Sequence, residues 1–109
     1  MRRLPGLALG VALSTMPTVV SAQEVGDPLQ GRELAERVCA SCHAVERGQA
    51  SSPNPQAPRF ETIAAVPGMT GTAVSIFLRT PHRAMPNLVL NAEEISNVAT
   101  YILSLRDSR

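Results

Sequence analysis

Apolar residues from position 28 onward recur every three or four positions, which is the spacing of one face of an α-helix. The C-terminal segment shows this most clearly, because Asn91 with Glu94 three residues later forms a capping box of the asparagine type. The apolar face that follows comprises Ile95, Val98, Ala99, Ile102 and Leu105, with Tyr101 at its edge. No segment alternates apolar and polar residues as a half-buried strand does. The chain is therefore predicted to be all-α.

Three further helices are predicted upstream, joined by loops rich in proline. The first is capped by Asp27, has proline at its first position and runs into the segment 39–43. A short second helix turns Phe60 inward, and a third ends at Pro81 because proline cannot continue a helix. Residues 47–58 are predicted to form a loop, because they are rich in proline, serine, asparagine and glutamine.

The N-terminal segment has the pattern of a secretory signal peptide rather than of a folded element. Two arginines follow the first methionine, a largely apolar run extends to Val20, and small residues then end at Ala22. We therefore expect residues 1–22 to be a signal peptide cleaved after Ala22, and residues 23–109 to form one periplasmic domain. The alternative is an uncleaved membrane anchor. However, proline, glycine, serine and threonine interrupt the apolar run, which is shorter than the ~20 residues that a span needs.

The composition indicates a small domain whose apolar core is modest. The chain has no Trp, one Tyr and two Phe, so aromatic side chains fill little of it. A core of this size stabilises a fold only marginally, and a buried cofactor would supply additional apolar area. The formal net charge is +1, or −1 once Arg2 and Arg3 are removed, and there is no basic run of the kind that binds nucleic acid.

The segment Cys39-Ala40-Ser41-Cys42-His43 carries the chemistry that the sequence predicts. Two cysteines three apart, followed by a histidine, match the spacing used for covalent haem attachment. Residues three and four apart on a helical turn share a face. Cys39 and Cys42 can therefore each form a thioether with one porphyrin, while His43 directs a ring nitrogen at the iron. The predicted cofactor is one haem c, attached through Cys39 and Cys42.

The cysteine pair has three other interpretations: a thioredoxin-like dithiol, a structural disulfide and half of a zinc site. A dithiol motif follows a strand in a βαβ pattern, whereas the residues before Cys39 are predicted to be helical. A zinc site needs about four ligands, and the chain has no second Cys/His pair. A small non-haem protein in which Cys39 and Cys42 cycle as a disulfide is the alternative that stays open.

The second axial ligand of the iron decides between electron transfer and ligand chemistry, and Met69, His82 and Met85 all qualify. Met85 precedes Pro86, which biases it towards the extended backbone of a strap across a haem face. A methionine thioether also favours Fe(II) and raises the reduction potential relative to a second histidine. The spacing favours Met85 over Met69 and His82, although core filling is the ordinary role of a methionine.

The motif at 39–43, the downstream Met-Pro pair and the terminal amphipathic helix together resemble the small soluble class I cytochromes c of bacteria. The resemblance extends over the whole mature chain. It implies that His43 and Met85 are the axial ligands on opposite sides of the iron. It also implies that a proline carbonyl accepts a hydrogen bond from the non-ligating ring nitrogen of His43, and Pro58 matches this position better than Pro55.

The same resemblance implies that the N- and C-terminal helices cross at Gly31, opposite Val98 and Tyr101. Many members of the family carry an aromatic residue four positions after this glycine. The chain has Ala35 there, so we expect a smaller helix contact. The tryptophan that often binds a haem propionate is also absent. The candidates to replace it are Arg47, Arg59 and His82.

The predicted function is that of an exported monohaem cytochrome, not an enzyme, which carries single electrons between periplasmic redox proteins. Its partners would be a dehydrogenase, an oxidase or a reductase. The chain has no lysine, which argues against the lysine ring that some cytochromes use for docking. We expect a monomer that binds no nucleic acid and meets the membrane only through a partner complex. Two alternatives stay open: a haem protein with an open iron position acting on or sensing peroxide, NO or CO, and a dedicated cytochrome subunit of a dehydrogenase or oxidase.

Overall fold

The computed structural model describes residues 1–18 and 25–107. Its four α-helices are α1 (Pro28–Val38), α2 (Phe60–Ala65), α3 (Gly71–Arg79) and α4 (Ala92–Ser104), followed by a 3₁₀ turn at Leu105–Asp107. Within the described residues there is no β-strand, and the one isolated β-bridge pairs His82 with Met85. The prediction of an all-α chain is confirmed.

The N-terminal residues 1–18 form no helix or strand, and their side chains are exposed. The predicted cleavage position after Ala22 lies outside the described residues, so the signal peptide stays a prediction. Among the residues that the structure describes, no helix has the length and apolar character needed to cross a membrane.

Side-chain caps fix where α1 and α4 begin. Asp27 Oδ1 accepts hydrogen bonds from the main-chain N–H groups of Leu29 at 2.8 Å and Gln30 at 3.3 Å, and a proline occupies the first helical position. At the start of α4, Asn91 and Glu94 form the capping box that the sequence predicts, with N–H to side-chain oxygen distances of 2.8 and 2.9 Å. These local signals placed both helix starts correctly.

Helices α1 and α4 cross at Gly31, where there is no room for a side chain. A Cβ at Gly31 would overlap the main-chain carbonyl of Asn97 and press against Tyr101. The buried side chain of Asn97 also accepts a hydrogen bond from the main-chain N–H of Asp27 at 2.7 Å. The predicted crossing is confirmed. The nearest atoms opposite the glycine belong to Asn97 and Tyr101 rather than to Val98, which is fully buried in the core.

One hydrophobic core lies between α4 and the three other helices. Its buried members are Leu34, Ala35, Cys39, Val45, Phe60, Ala64, Val74, Val98, Ala99, Tyr101, Ile102 and Leu105. The C-terminal turn closes this core on one side, because Arg106 donates hydrogen bonds to the main-chain carbonyls of Ala64 at 2.9 Å and Met69 at 2.6 Å. Helices α2 and α3 are thereby held against α4 and form one wall of the site described next.

Candidate functional site

The cysteine–histidine segment follows directly from the end of α1. The main-chain N–H of Cys39 still donates to the carbonyl of Ala35 at 2.8 Å, and those of Cys42 and His43 donate to the carbonyl of Cys39 at 3.2 and 2.9 Å. The chain therefore keeps turning after Val38, as the shared-face argument requires. Neither cysteine forms a disulfide.

A cavity of about 550 Å³ opens in front of this segment. Most of its lining surface is apolar, and it is built from the end of α1, residues 54–58, α2, α3 and residues 82–88. The predicted site residues that line it are Cys39, Cys42, His43, Pro58 and Met85, together with the two alternative ligands Met69 and His82. Residues from 39 to 85 are thus brought to one concave surface, whose volume and apolar lining are typical of a cofactor site.

His43 is held by two contacts that fix its ring. Its Nδ1 lies 2.7 Å from the carbonyl oxygen of Pro58. Because a carbonyl only accepts, Nδ1 carries the proton and Nε2 is the nitrogen with a free lone pair. The ring of Phe60 packs at a centroid distance of 5.5 Å and a tilt of 50°. The structure thus brings the predicted Pro58, and not Pro55, to His43.

The loop that carries Pro58 is bound to Cys42 and Ala44 by two main-chain hydrogen bonds and by one to a serine side chain. The N–H of Asn54 donates to the carbonyl of Cys42 at 3.0 Å, and that of Ala44 donates to Ser52 Oγ at 2.9 Å. On the other side of Pro58, the N–H of Phe60 donates to the carbonyl of Ala44 at 2.9 Å. Nothing in the sequence pattern signalled these three bonds, because they join residues 8 to 16 positions apart in a segment with no periodicity.

Tyr101 connects this wall to α4. Its hydroxyl donates to the carbonyl of Val45 at 2.6 Å, and its ring lies 6.4 Å from that of Phe60. Burial, together with the negative charge of Glu46, raises the pKa of Tyr101. The hydroxyl therefore stays protonated and keeps donating at neutral pH.

The opposite wall of the cavity contains Met85 and is built differently. Met85 is half-buried and also lines an adjoining cleft of about 210 Å³. It pairs across a tight turn with His82, whose ring stacks on that of Phe77 at 5.2 Å and 26°. Ala84, within this turn, has φ +62°, a left-handed conformation that side chains other than glycine seldom adopt. The sequence predicted the extended strap at Met85 but not the strained residue before it.

Met69, the other methionine of the cavity, lies on the wall formed by the α2–α3 connection. It is half-buried and packs against the core, and its carbonyl is held by Arg106. Both methionines therefore line the cavity, but Met69 also packs against the hydrophobic core, whereas Met85 is not among the residues of that core.

The charged residues proposed for a haem propionate have other partners. Arg47 donates to the carbonyls of Ser104 at 2.9 Å and Leu105 at 3.4 Å, where it caps the end of α4. Arg59 pairs with Glu61 at 3.4 Å. Among the arginines, it is Arg83 that lines the cavity, a position that the sequence gave no reason to select.

Burial also affects the first cysteine. Its desolvation raises the pKa of Cys39 to about 11, so at neutral pH it is a thiol rather than a thiolate. A redox-active dithiol generally has a lowered pKa, because the thiolate is the reacting species. Cys39 therefore lacks the lowered pKa that is typical of the attacking thiol of a redox dithiol.

Comparison with known proteins agrees with this geometry. Residues 26–102 match the family model described as cytochrome c oxidase, cbb3-type, subunit III. The chain belongs to this cytochrome c family. It is also 36% identical over 103 residues to a protein named cytochrome c-552 from Bradyrhizobium diazoefficiens, and the alignment covers 94% of this chain and 95% of that protein. No solved structure matches the chain at a significant level.

Together, the family and the full-length relative identify the chain as a small class I cytochrome c that carries covalently bound haem c and serves in electron transfer. The residues present fit this group. The cavity is apolar, both cysteines of the chain line it, and the same surface carries an imidazole whose Nε2 is free for a metal.

Proposed function

We propose that this cytochrome is an exported, periplasmic single-electron carrier whose haem is attached through Cys39 and Cys42 and ligated by His43 and Met85. The observation that carries the proposal is the 2.7 Å contact between His43 Nδ1 and the Pro58 carbonyl, inside a cavity that both cysteines and Met85 also line. Bound haem c supplies one reversible Fe(III)/Fe(II) couple.

The contacts that orient the His43 ring for ligation come from the protein itself and do not depend on a metal. The carbonyl of Pro58 fixes the tautomer and makes the ring a more basic ligand, because it draws on the Nδ1 proton. Phe60 restricts rotation of the ring from one side. A ligand fixed in this way changes little between oxidation states, which keeps the reorganisation that accompanies electron transfer small.

Met85 supplies the second ligand in this proposal. It lines both the cavity and the adjoining cleft and is not among the core residues, which supports a role as a ligand rather than as core filling. A neutral, polarisable thioether favours Fe(II), and a His/Met pair therefore has a higher reduction potential than a His/His pair. With both His43 and Met85 bound, the iron would have no position open to peroxide, NO or CO, and we therefore propose a carrier rather than an enzyme or sensor.

The cellular role follows from the N-terminal pattern and the cofactor. We propose that residues 1–22 direct export and that residues 23–109 act in the periplasm as a monomer, passing electrons between redox proteins such as a dehydrogenase, an oxidase or a reductase. Contact with a membrane would be through a partner complex. The similarity to cytochrome c-552, whose name describes a cytochrome and no larger complex, favours this role.

A second role, as a dedicated cytochrome subunit of an oxidase, is favoured by the description of the matching family, which names a subunit of a cbb3-type oxidase. The two roles share the same haem chemistry. Purification at physiological salt separates them, because a dedicated subunit elutes with an oxidase complex and a free carrier elutes at the size of one chain.

The proposal is tested by optical spectra of protein expressed with its own N-terminal segment in a bacterium that matures c-type cytochromes. We expect covalent haem that survives a denaturing gel, and a mass equal to residues 23–109 plus one haem. We also expect a low-spin oxidised spectrum with the weak far-red charge-transfer band that methionine ligation produces. Met85→Ala should lose this band, and the matched variant Met69→Ala should keep it.

Other results of these spectra would change the assigned ligand or the proposed function. If Met69→Ala loses the band and Met85→Ala keeps it, the ligand is Met69. A high-spin wild-type spectrum that changes with CO on reduction means an open iron position and replaces the carrier by a catalytic or sensing protein. Protein without covalent haem leaves the disulfide interpretation of Cys39 and Cys42.

A further inference from the structure

Two charged side chains outside the cavity join the ends of the loop that carries Pro58. Glu61 Oε1 accepts a hydrogen bond from the main-chain N–H of Gly48 at 3.1 Å, and Glu61 Oε2 lies 3.4 Å from the guanidinium of Arg59. The same guanidinium donates to the main-chain carbonyl of Gln49 at 3.3 Å. We call these three contacts the Arg59–Glu61 clasp. In the part of the chain that the structure describes, neither charged residue lines the cavity.

Pro58 lies directly beside the clasp and cannot fix its own position. Its nitrogen carries no hydrogen, so it donates no main-chain hydrogen bond, and its carbonyl oxygen is the acceptor for His43 Nδ1 at 2.7 Å. The position of that oxygen is therefore set by the residues that follow. The N–H of Phe60 provides one restraint through its 2.9 Å bond to the carbonyl of Ala44. The clasp provides a second restraint through Arg59.

Arg59 is an unusual residue for its place in the chain. It immediately precedes α2, where a side chain that accepts hydrogen bonds is preferred and a positive charge is unfavourable. Its side chain does not cap the helix. The side chains of Arg59 and Glu61 are 39% and 22% exposed, so their ion pair alone contributes little to stability. Helix capping and ion pairing therefore do not explain Arg59, whereas its contact with the main chain of the loop does.

The other end of the clasp is a turn that is fixed to α4. The N–H of Gln49 donates to the carbonyl of Glu46 at 3.2 Å, and the N–H of Glu46 donates to Gln49 Oε1 at 3.3 Å. Gly48, within this turn, has φ +77°. Arg47 binds the carbonyls at the end of α4 at 2.9 and 3.4 Å. The clasp thus connects Pro58 to the C-terminal helix.

We propose that Arg59 and Glu61 are positioning residues that hold the Pro58 carbonyl on His43 and thereby help to set the reduction potential. This inference rests on the proposed ligation of the haem by His43. A carbonyl that draws on the Nδ1 proton makes the ring a more basic ligand, and a more basic ligand favours Fe(III) over Fe(II). Loosening the clasp should therefore weaken this hydrogen bond and raise the midpoint potential.

The first experiment measures midpoint potentials of haem-loaded Arg59→Ala, Glu61→Ala and the double variant. If only charge acted, loss of the positive Arg59 would lower the potential and loss of the negative Glu61 would raise it. The clasp predicts a rise in both. It also predicts a rise in the double variant, in which the two charges cancel. The controls Arg37→Ala and Glu33→Ala, on the exposed side of α1, should give only small shifts of opposite sign.

A milder pair of variants separates reach from charge at Glu61. Glu61→Asp keeps the charge but is one methylene too short to reach both partners. Glu61→Gln loses the charge but keeps an oxygen that can accept from the N–H of Gly48. The clasp predicts a larger rise in potential for Glu61→Asp, whereas an electrostatic effect predicts a larger rise for Glu61→Gln. This pair also decides the matter if an alanine variant fails to take up haem.

The second experiment follows the His43 ring directly. Exchange of its Nδ1 proton with water is measured by NMR in the reduced haem-loaded protein. We expect exchange to be roughly tenfold faster in Arg59→Ala and Glu61→Ala, because opening of the hydrogen bond becomes easier, and to stay near the wild-type rate in the two α1 controls. A change in surface charge alone would not have this effect.

Opposite potential shifts in Arg59→Ala and Glu61→Ala, with unchanged exchange of the His43 proton, would mean that only charge acts and would overturn the proposal. Unchanged potentials and exchange rates in every variant would overturn it too. In both cases the far-red band and the covalent haem would persist, and the carrier function would stand. Wild-type protein without covalent haem would instead contradict the proposed function, and the role of the clasp with it.

Discussion

The two walls of the haem cavity hold their key residues in different ways. His43 has a 2.7 Å hydrogen bond to Pro58 and a buried aromatic neighbour, and two main-chain hydrogen bonds and one to Ser52 Oγ secure the loop around it. Met85 is half-buried in a turn with one isolated β-bridge and a left-handed alanine. Both side chains are half-buried, but the neighbours of His43 include the core residues Phe60 and Cys39, whereas Met85 stands in a turn outside the core. We expect the Met85 side to loosen first under any perturbation.

The two walls should differ most in the free energy of unfolding that is lost when the phenylalanine of each wall is replaced by alanine. Phe60 is 4% exposed and touches both His43 and Tyr101, so Phe60→Ala should lower the free energy of unfolding by about 3–5 kcal/mol. Phe77 stacks on His82 and lines the cavity without belonging to the hydrophobic core, so Phe77→Ala should cost less, about 1–2 kcal/mol. Denaturant unfolding of the haem-loaded proteins measures both. Similar losses in the two variants would show that the walls are equally packed.

A smaller effect is expected from the hydroxyl that joins the histidine wall to α4. Tyr101→Phe removes the 2.6 Å bond to Val45 and leaves that carbonyl unpaired in the core, at a cost of about 1–3 kcal/mol. The far-red band of methionine ligation should persist at room temperature, because Met85 lies on the other wall. Loss of the band in Tyr101→Phe would mean that the two walls are coupled.

The same tyrosine gives the stability a pH dependence. Burial raises its pKa in the folded protein above the unfolded value of about 10. Above pH ~10 the unfolded chain releases the proton first. The contribution of Tyr101 is therefore complete below pH ~10 and decreases, by at most about 1.4 kcal/mol per pH unit, as the pH rises through the folded pKa. Unfolding measured from pH 8 to 11 should show this decrease in the wild type, and a decrease of the same size in Tyr101→Phe would assign it to another group.

The sequence predicts some parts of the molecule better than others, and the difference depends on how local the signal is. Helix starts at Asp27 and Asn91 are encoded within three or four residues, so capping patterns locate them. The family resemblance predicted the helix crossing at Gly31. It did not predict that the main-chain carbonyl of Asn97 lies opposite the glycine, because a sequence pattern does not show where main-chain atoms meet. The cysteine–histidine spacing indicated the cofactor because its chemistry requires a local pattern.

The remaining features depend on contacts between distant segments. Ala44 donates a hydrogen bond to Ser52, and Arg47 caps the end of α4. Both donors lie in a loop whose sequence has no helical or strand periodicity. Arg83 is an ordinary surface residue in the sequence, and only the folded chain shows that it lines the cavity. Local rules therefore predict the elements and the attachment motif, whereas the loops that complete the site are set by tertiary contacts.

The smallest expected effect tests the strained turn of the methionine wall. Ala84 has φ +62°, a conformation that glycine adopts without strain and that costs a β-branched residue more than alanine. Relief of strain should offset the extra freedom that glycine gives the unfolded chain. Ala84→Gly should thus change the stability by less than about 1 kcal/mol, whereas the exposed control Ala50→Gly, which has no positive φ to relieve, should lose about 0.4–1 kcal/mol.

Ala84→Val sharpens this test, because it adds strain at the same position. We expect its far-red band to disappear on heating at a lower temperature than in the wild type, with little change in the far-ultraviolet signal of the helices. If the Met85 segment is only a strap over an intact core, the methionine ligand should be lost at a lower temperature than that at which the helices unfold. If band and helix signal are lost together, the turn at Ala84 is as firmly integrated in the core as His43, and the contrast between the two walls does not hold.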